Sequence, residues 1–446
     1  MGSHERIHGR DDRVTDVTTG LGTAAVQRRV TGLIAAVSAL GVTAALGGCG
    51  GSAESGDVTL RLVAADYGDS SANSSEKYWD KLSKAYEAKH PGVDVQVSVY
   101  SWNDVDAKVK AMVADGNPPD MAQIGAYADY ADAGQLYRAD DVLSIDTQSD
   151  FVSRLSFAGE INRTQYGMPF ASSTRLLFYN KKLFSDAGLT PPQSWSELAS
   201  DAEALKAQGV KYPYALPLGP EEAQAETMMW LLSGGDGYTD TVGSYSLDSK
   251  ENIETFTWLK EKLVDKGLTG PVAPAKLNRA QAFAAFTRGE VGMLNGHPTL
   301  MKAAAAKGVE FGMVPMPGVD GRSKATMGVA DWMMAFKKSG HAEEIGDFLD
   351  YVYSEKNVLE FSHEYDLLPV TTSASEAMAA DKDDADLVEF LGELPNAELY
   401  PVSQTSWATV SADIKQQIGK AVSPKGNPAA TLGQLQRAAA AAESAG

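Results

Sequence analysis

Three strand patterns separated by two helical stripes open the body of this chain, and that alternation constrains its fold more than any other feature. Val58–Ala65 alternates in hydropathy, residues 93–99 repeat with a clean period of two, and Pro118-Pro119-Asp120 leads into a short apolar strand over 121–125. Between the first two strands, Tyr78, Leu82, Ala85 and Tyr86 fall on one helical face. Between the second and third, Asn103 stands where a helix is capped, ahead of Val105, Val109, Met112 and Val113. Strand–helix–strand order at this spacing predicts right-handed crossovers and a parallel sheet. Ligands on such sheets bind beyond the carboxyl ends of the strands. Those ends are Asp66-Tyr67, Tyr100-Ser101-Trp102 and the stretch from Gln123 to Tyr127, so Asp66, Tyr67, Trp102, Gln123 and Tyr127 become candidate ligand contacts.

At 446 residues the chain exceeds one ordinary core and suits two domains or one large α/β body. With 43% hydrophobic and 22% charged residues, its composition is that of a globular protein. The formal net charge of −20 repels phosphate backbones, which argues against nucleic acid as a partner. The single cysteine rules out an internal disulfide framework.

That cysteine, Cys49, follows an apolar run over 30–46 preceded by Arg28 and Arg29. A positive segment, an apolar segment and a small-residue site make an export signal, with a single-pass anchor as the alternative reading. Leu46-Gly47-Gly48-Cys49 resembles the lipobox of bacterial lipoproteins, with Gly47 where Ala, Ser or Thr is commoner. The resemblance implies lipidation at Cys49 and a chain held on the extracellular face of the cell membrane. The expected division is therefore an export signal over 1–48 and a flexible tether over 49–56. Glu5, Asp11, Asp12 and Asp16 are unusual in such a signal and suggest initiation near Val26. The arginine pair also hints at twin-arginine export.

The middle of the chain reads as helical. Ser194-Trp195-Ser196-Glu197 is a capping box ahead of Leu198, Ala202 and Leu205, with Gly209 as terminator. Further helices are predicted over 253–266, 280–288, 343–352, 355–365 and 431–442, the last docking through Leu432 and Leu435. Motifs for nucleophilic hydrolysis, phosphate cradling, dinucleotide binding and zinc are missing, and no cofactor is expected. The acidic run 381–386 lacks the glycine and closing glutamate of a calcium loop and reads as a solvated face. Paired glycosidase carboxylates leave no local spacing signature, so hydrolysis stays open at this point.

The block 166–198, beginning Tyr166-Gly-Met-Pro-Phe and continuing through Tyr179-Asn-Lys to Trp195-Ser-Glu-Leu, resembles the hallmark of ABC-importer sugar-binding proteins of the maltose-binding-like family. Residues 282–296 and 327–336 resemble two further blocks of that family in the same order. The resemblance runs from about Val58 to the C-terminus. It implies an α/β, two-lobed periplasmic-binding-protein-like fold, each lobe a mainly parallel sheet flanked by helices. The N-terminal lobe would comprise 57–170 and 323–366, the C-terminal lobe 171–322 and 367–446. Three hinge crossings would fall near 170–172, 314–322 and 366–372. Binding without chemistry would follow, with lobe closure around a carbohydrate and delivery to a membrane permease by a monomer.

Site residues follow from the same blocks. Asp331 and Trp332 would offer a carboxylate beside a flat apolar face, the alternative being a core tryptophan with a capping aspartate. Trp407 matches a C-terminal stacking position, and Glu226 and Trp230 lie on a helix resembling one that lines the cleft. Ser173 and Asn295 fall in the same blocks, and Tyr365, just before the third expected crossing, is a further candidate contact. After Asn295-Gly296 relatives often carry an aromatic platform, where this chain has His297 and Pro298. Trp195 is assigned to structure by its capping box. The rival ligands are a polyamine or a phosphorylated compound, and the rival class is a secreted glycoside hydrolase.

Overall fold

In the computed structural model, residues 58–68, 71–102, 104–321 and 326–445 are described. The expected export signal, Cys49 and the tether lie outside them, as do Asn103 and Arg322. β1 (Val58–Ala65) buries Leu60, Leu62, Val63, Ala64 and Ala65. β2 (Val93–Tyr100) and β3 (Met121–Ile124) flank it, both parallel to it. The Ser75–Glu87 and Val105–Ala114 helices make the crossovers. In the first, Tyr78, Leu82 and Tyr86 are buried as predicted, but Ala85 is exposed, and Trp79 and Ser83 widen the inward face.

After a small hairpin, β4 (Glu160–Ile161) with β5 (Thr164–Gln165), β6 (Met168–Thr174) leads into β7 (Leu176–Asn180). The second sheet adds β8 (Tyr212–Tyr214), β9 (Val291–Gly296) and β10 (Phe311–Val314), in the order β10-β7-β9-β8. β11 (Met327–Ala335) returns to the first sheet, antiparallel to both β3 and β6, and β12 (Glu398–Leu399) extends it in parallel. Two lobes, each headed by one sheet, result. The expectation of a mainly parallel second sheet is corrected: β7 runs antiparallel to β9 and β10, and only β8 with β9 is parallel. The reason is connectivity, because β7 enters directly from the first sheet rather than through a helical crossover.

The crossings also differ in place. β6 stays paired with β11 as far as Thr174, so the chain changes sheets at Arg175, beyond the predicted 170–172. Residues 366–372 run beside the first sheet, where Leu368 bridges Ser172 and Thr371 bridges Phe151. β12 belongs to the first sheet, although 367–446 was expected in the second lobe.

Helix ends follow their sequence signals closely. Ser194 accepts from the Glu197 N–H at 3.2 Å, but Glu197 reaches back to the Gln193 N–H, one residue earlier than a reciprocal box requires. Gly209 takes a φ of 81°, which only a residue without a β-carbon adopts freely. The helix predicted over 253–266 is α-helical over Lys250–Trp258 and widens to a π-helix over Leu259–Val264. Among the described residues no helix is long and apolar enough to cross a membrane.

Candidate functional site

Asp331 lies where β11 changes register against β6, at a bulge between Asp331 and Trp332. A bulge re-aims the side chains beside it. The Asp331 carboxylate accepts from the Tyr67 hydroxyl at 2.8 Å, and that hydroxyl accepts from the Gln123 Nε2 at 2.7 Å. Gln123 Oε1 in turn accepts from the Ala65 N–H at 3.0 Å. The carboxyl-end residues of β1 and β3 and the middle of β11 therefore converge on one polar cluster. Trp102, 37% exposed, sets its ring edge-on to Tyr67 at 5.3 Å. Burial pushes the Asp331 carboxyl up to about 7; the Tyr67 bond and Arg175 act the other way, and Asp106 and Glu222 add to the rise.

A second cluster lies within electrostatic reach of Asp331. Arg175, 6% exposed, pairs with Glu222 at 2.8 Å and donates to Ser173 Oγ at 3.1 Å. Arg279 also contacts Glu222, pairs with Glu221 at 2.8 Å, and lies over the Phe283 ring. Each arginine thus has a carboxylate partner. Tyr400 lies within electrostatic reach of Glu222, Arg175 and Asp331.

Several predicted contacts go elsewhere. Trp332 is completely buried, its ring edge-on to Tyr127 at 5.2 Å and tight against Gly167, so the expected stacking face is a core residue. Period-two alternation decides this: with Asp331 turned to the cluster, Trp332 must face inward. Tyr127 is buried too and donates to the Ala158 carbonyl at 2.6 Å. Trp230 packs with Trp195, Tyr214 and Trp258. Glu226, 5% exposed, accepts from Trp230, Tyr214 and Asn295 at 2.8, 3.0 and 3.1 Å. All three bonds fall on Oε1, and burial still holds the Glu226 carboxyl up at about 7.

Trp407 is buried against Tyr400, rings 5.0 Å apart, so its expected stacking face is covered. Tyr365 is buried against Phe361, Tyr67 and Tyr78. Asp66 caps the first crossover helix, accepting from Gly68 and Ser75 N–H groups. His297 bonds Thr299, and burial with Arg175 and Arg279 nearby holds its imidazole well below the usual range, so it is neutral. The structure brings together Tyr67, Trp102, Gln123, Asp331 and, through Arg175, Ser173.

Sequence reasoning missed Arg175, Glu222, Asp106 and Tyr400. One signal for Arg175 existed: a lone arginine after Ser172-Ser173-Thr174 in an otherwise apolar strand pair. Among the described residues no group of three or more His, Cys, Asp or Glu side chains could hold a metal ion.

Residues 70–359 match the model of the bacterial extracellular solute-binding proteins, and the chain belongs to that family. A Brucella abortus protein named as a binding protein is 27% identical over 408 residues, which is 90% of this chain and 95% of the relative. The sn-glycerol-3-phosphate-binding periplasmic protein of Escherichia coli (strain K12) is 27% identical over 242 residues, 51% of this chain and 54% of its own. Among solved structures, the cyclic alpha-maltosyl-1,6-maltose binding protein of Arthrobacter globiformis superposes with a TM-score of 0.73 at 23% identity, covering 88% of this chain and all of that one. That likeness concerns the fold.

Proposed function

We propose that this protein captures a carbohydrate between its lobes and delivers it to the permease of an ABC importer, without chemistry of its own. The observation that carries this reading is the Asp331 cluster: a carboxylate with acceptor capacity to spare beside the aromatic faces of Tyr67 and Trp102. Sugar hydroxyls donate to carboxylates, and sugar C–H faces pack on aromatic rings. The Escherichia coli relative keeps a phosphorylated ligand as a second reading. Against it, Arg175 and Arg279 are already held by Glu221 and Glu222, so a phosphate would meet Asp331, Asp106 and Glu222 with no unpartnered arginine of this pair.

Isothermal titration calorimetry with maltotriose, glycerol-3-phosphate and spermidine separates the readings. Binding of maltotriose alone is the expected result; binding of glycerol-3-phosphate alone overturns it. Chromatography of the recovered sugar tests for hydrolysis, and an intact trisaccharide is expected. Closure belongs to the same proposal: the chain passes between sheets at Arg175 and again between β10 and β11. Ligand should lower the radius of gyration in solution scattering. Anchoring on the extracellular face through a lipidated Cys49 rests on the Leu46-Gly-Gly-Cys49 string. Cys49→Ser should release the protein from membranes, and unchanged membrane retention would refute it.

A further inference from the structure

We propose that Gln123 and Tyr67 are positioning residues that form a one-way hydrogen-bond relay, holding Asp331 as an acceptor for ligand hydroxyl groups. The inference rests on the carbohydrate reading of this site and says how the site selects its ligand. The relay starts on β1, where the Ala65 N–H can only donate. Its partner is therefore the carbonyl oxygen of the Gln123 amide, and Gln123 is fully buried. A flipped amide would set N–H against N–H with no water to absorb the conflict. Gln123 Nε2 must then donate to the Tyr67 oxygen, which leaves the phenolic proton pointing at Asp331 Oδ2.

Three consequences follow. The phenol cannot turn round, so Asp331 never needs to donate to Tyr67. Oδ1 has no described donor and stays available to an incoming hydroxyl. While Asp331 is ionised it can only accept, which disfavours ligands that present a carboxylate or phosphate at this point, because two acceptors repel.

The groups facing Asp331 come from several elements. Tyr67 follows β1, Asp106 lies on the Val105–Ala114 helix, Arg175 joins β6 to β7, Glu222 precedes the Ala223–Gly234 helix and Tyr400 follows β12. Asp106 and Glu222 oppose ionisation of Asp331, while Arg175 and the Tyr67 proton favour it. Removing the relay takes away the Tyr67 proton and leaves Arg175 as the group that favours the ionised form.

The test follows the Asp331 side-chain carboxyl by carbon-13 NMR through a pH titration of the ligand-free protein. Tyr67→Phe deletes the donated proton and should raise the Asp331 midpoint by roughly one pH unit. Gln123→Met keeps the volume but frees the phenol to rotate, and should raise it by less. A merely structural role would lower the melting temperature and leave the midpoint where it is in the wild type. Folded variants with that outcome overturn the relay. In the wild type, maltotriose affinity should weaken about tenfold from about pH 8 to about pH 6, as Asp331 gains its proton. Failure of maltotriose to bind at any pH would sink the carbohydrate reading, while the ligand-free titration still decides the relay.

Discussion

Two carboxylates, Glu226 and Asp331, are both raised to about 7 by burial, yet they do different work. Glu226 gathers three donors from the indole of Trp230, the phenol of Tyr214 and the amide of Asn295. Its donors come from the surrounding side chains, and it knots the Ala223–Gly234 helix to β8 and β9. Asp331 receives one described side-chain donor and is only partly buried. A perturbed pKa marks both places, so it does not by itself tell a structural carboxylate from a binding one. The number of donors and the surroundings do: three buried donors converge on Glu226 Oε1, whereas Asp331 has one, beside the part-exposed ring of Trp102.

The largest effect that would sharpen the contrast lies next door to Asp331. Trp332→Ala should cost about 3–5 kcal/mol of stability in urea melts, as truncation of a fully buried aromatic does. A small loss of stability with a large loss of sugar affinity would return Trp332 to the cleft. Glu226→Ala should come next, at about 3 kcal/mol, because three buried donors lose their acceptor. Asp331→Asn, by contrast, should leave stability nearly unchanged near pH 4, should not lower it at pH 7, and should weaken maltotriose binding by about 1.5–3 kcal/mol in calorimetry. If Glu226→Ala and Asp331→Asn behaved alike, the distinction between the two would fail.

A subtler effect is shared. In the unfolded chain both carboxyls ionise near pH 4, whereas in the folded protein they hold their protons up to about 7. Between those values the native state binds more protons, so stability should fall as pH rises through the window. Glu226→Gln and Asp331→Asn should each flatten that decline in urea midpoints, and only Asp331→Asn should also change binding. The smallest effect is expected for Trp102→Ala, about 1 kcal/mol of affinity, because its ring is 37% exposed and makes a rim contact.

Much of the first lobe was legible from periodicity. β1, β2 and β3 occur where alternation predicts them, and Val105 and Val109 face inward on the second crossover helix. Tyr67, Gln123 and Trp102 were reached from a rule about strand ends, without a contact in view. Arg175 was not reached, because the sheet change falls after Thr174 and that depends on how far β6 remains paired with β11. Trp407 was chosen because it matches a C-terminal stacking position of the family, but in the fold it is buried and stacked on Tyr400.

Local signals act over a few residues, so the sequence alone determined strand periods, helix caps at Ser194 and Gly209, and the blocks that carry the family resemblance. Alternation puts Asp331 and Trp332 on opposite faces of β11, but which face meets the core depended on its pairing with β3 and β6, strands far apart in the chain. The Tyr67–Asp331 bond joins residues 264 positions apart, and the Arg175–Glu222 pair draws on two further elements. Donors and acceptors find such partners only once packing has removed the water that would otherwise satisfy them, and no residue pattern along the chain encodes that choice.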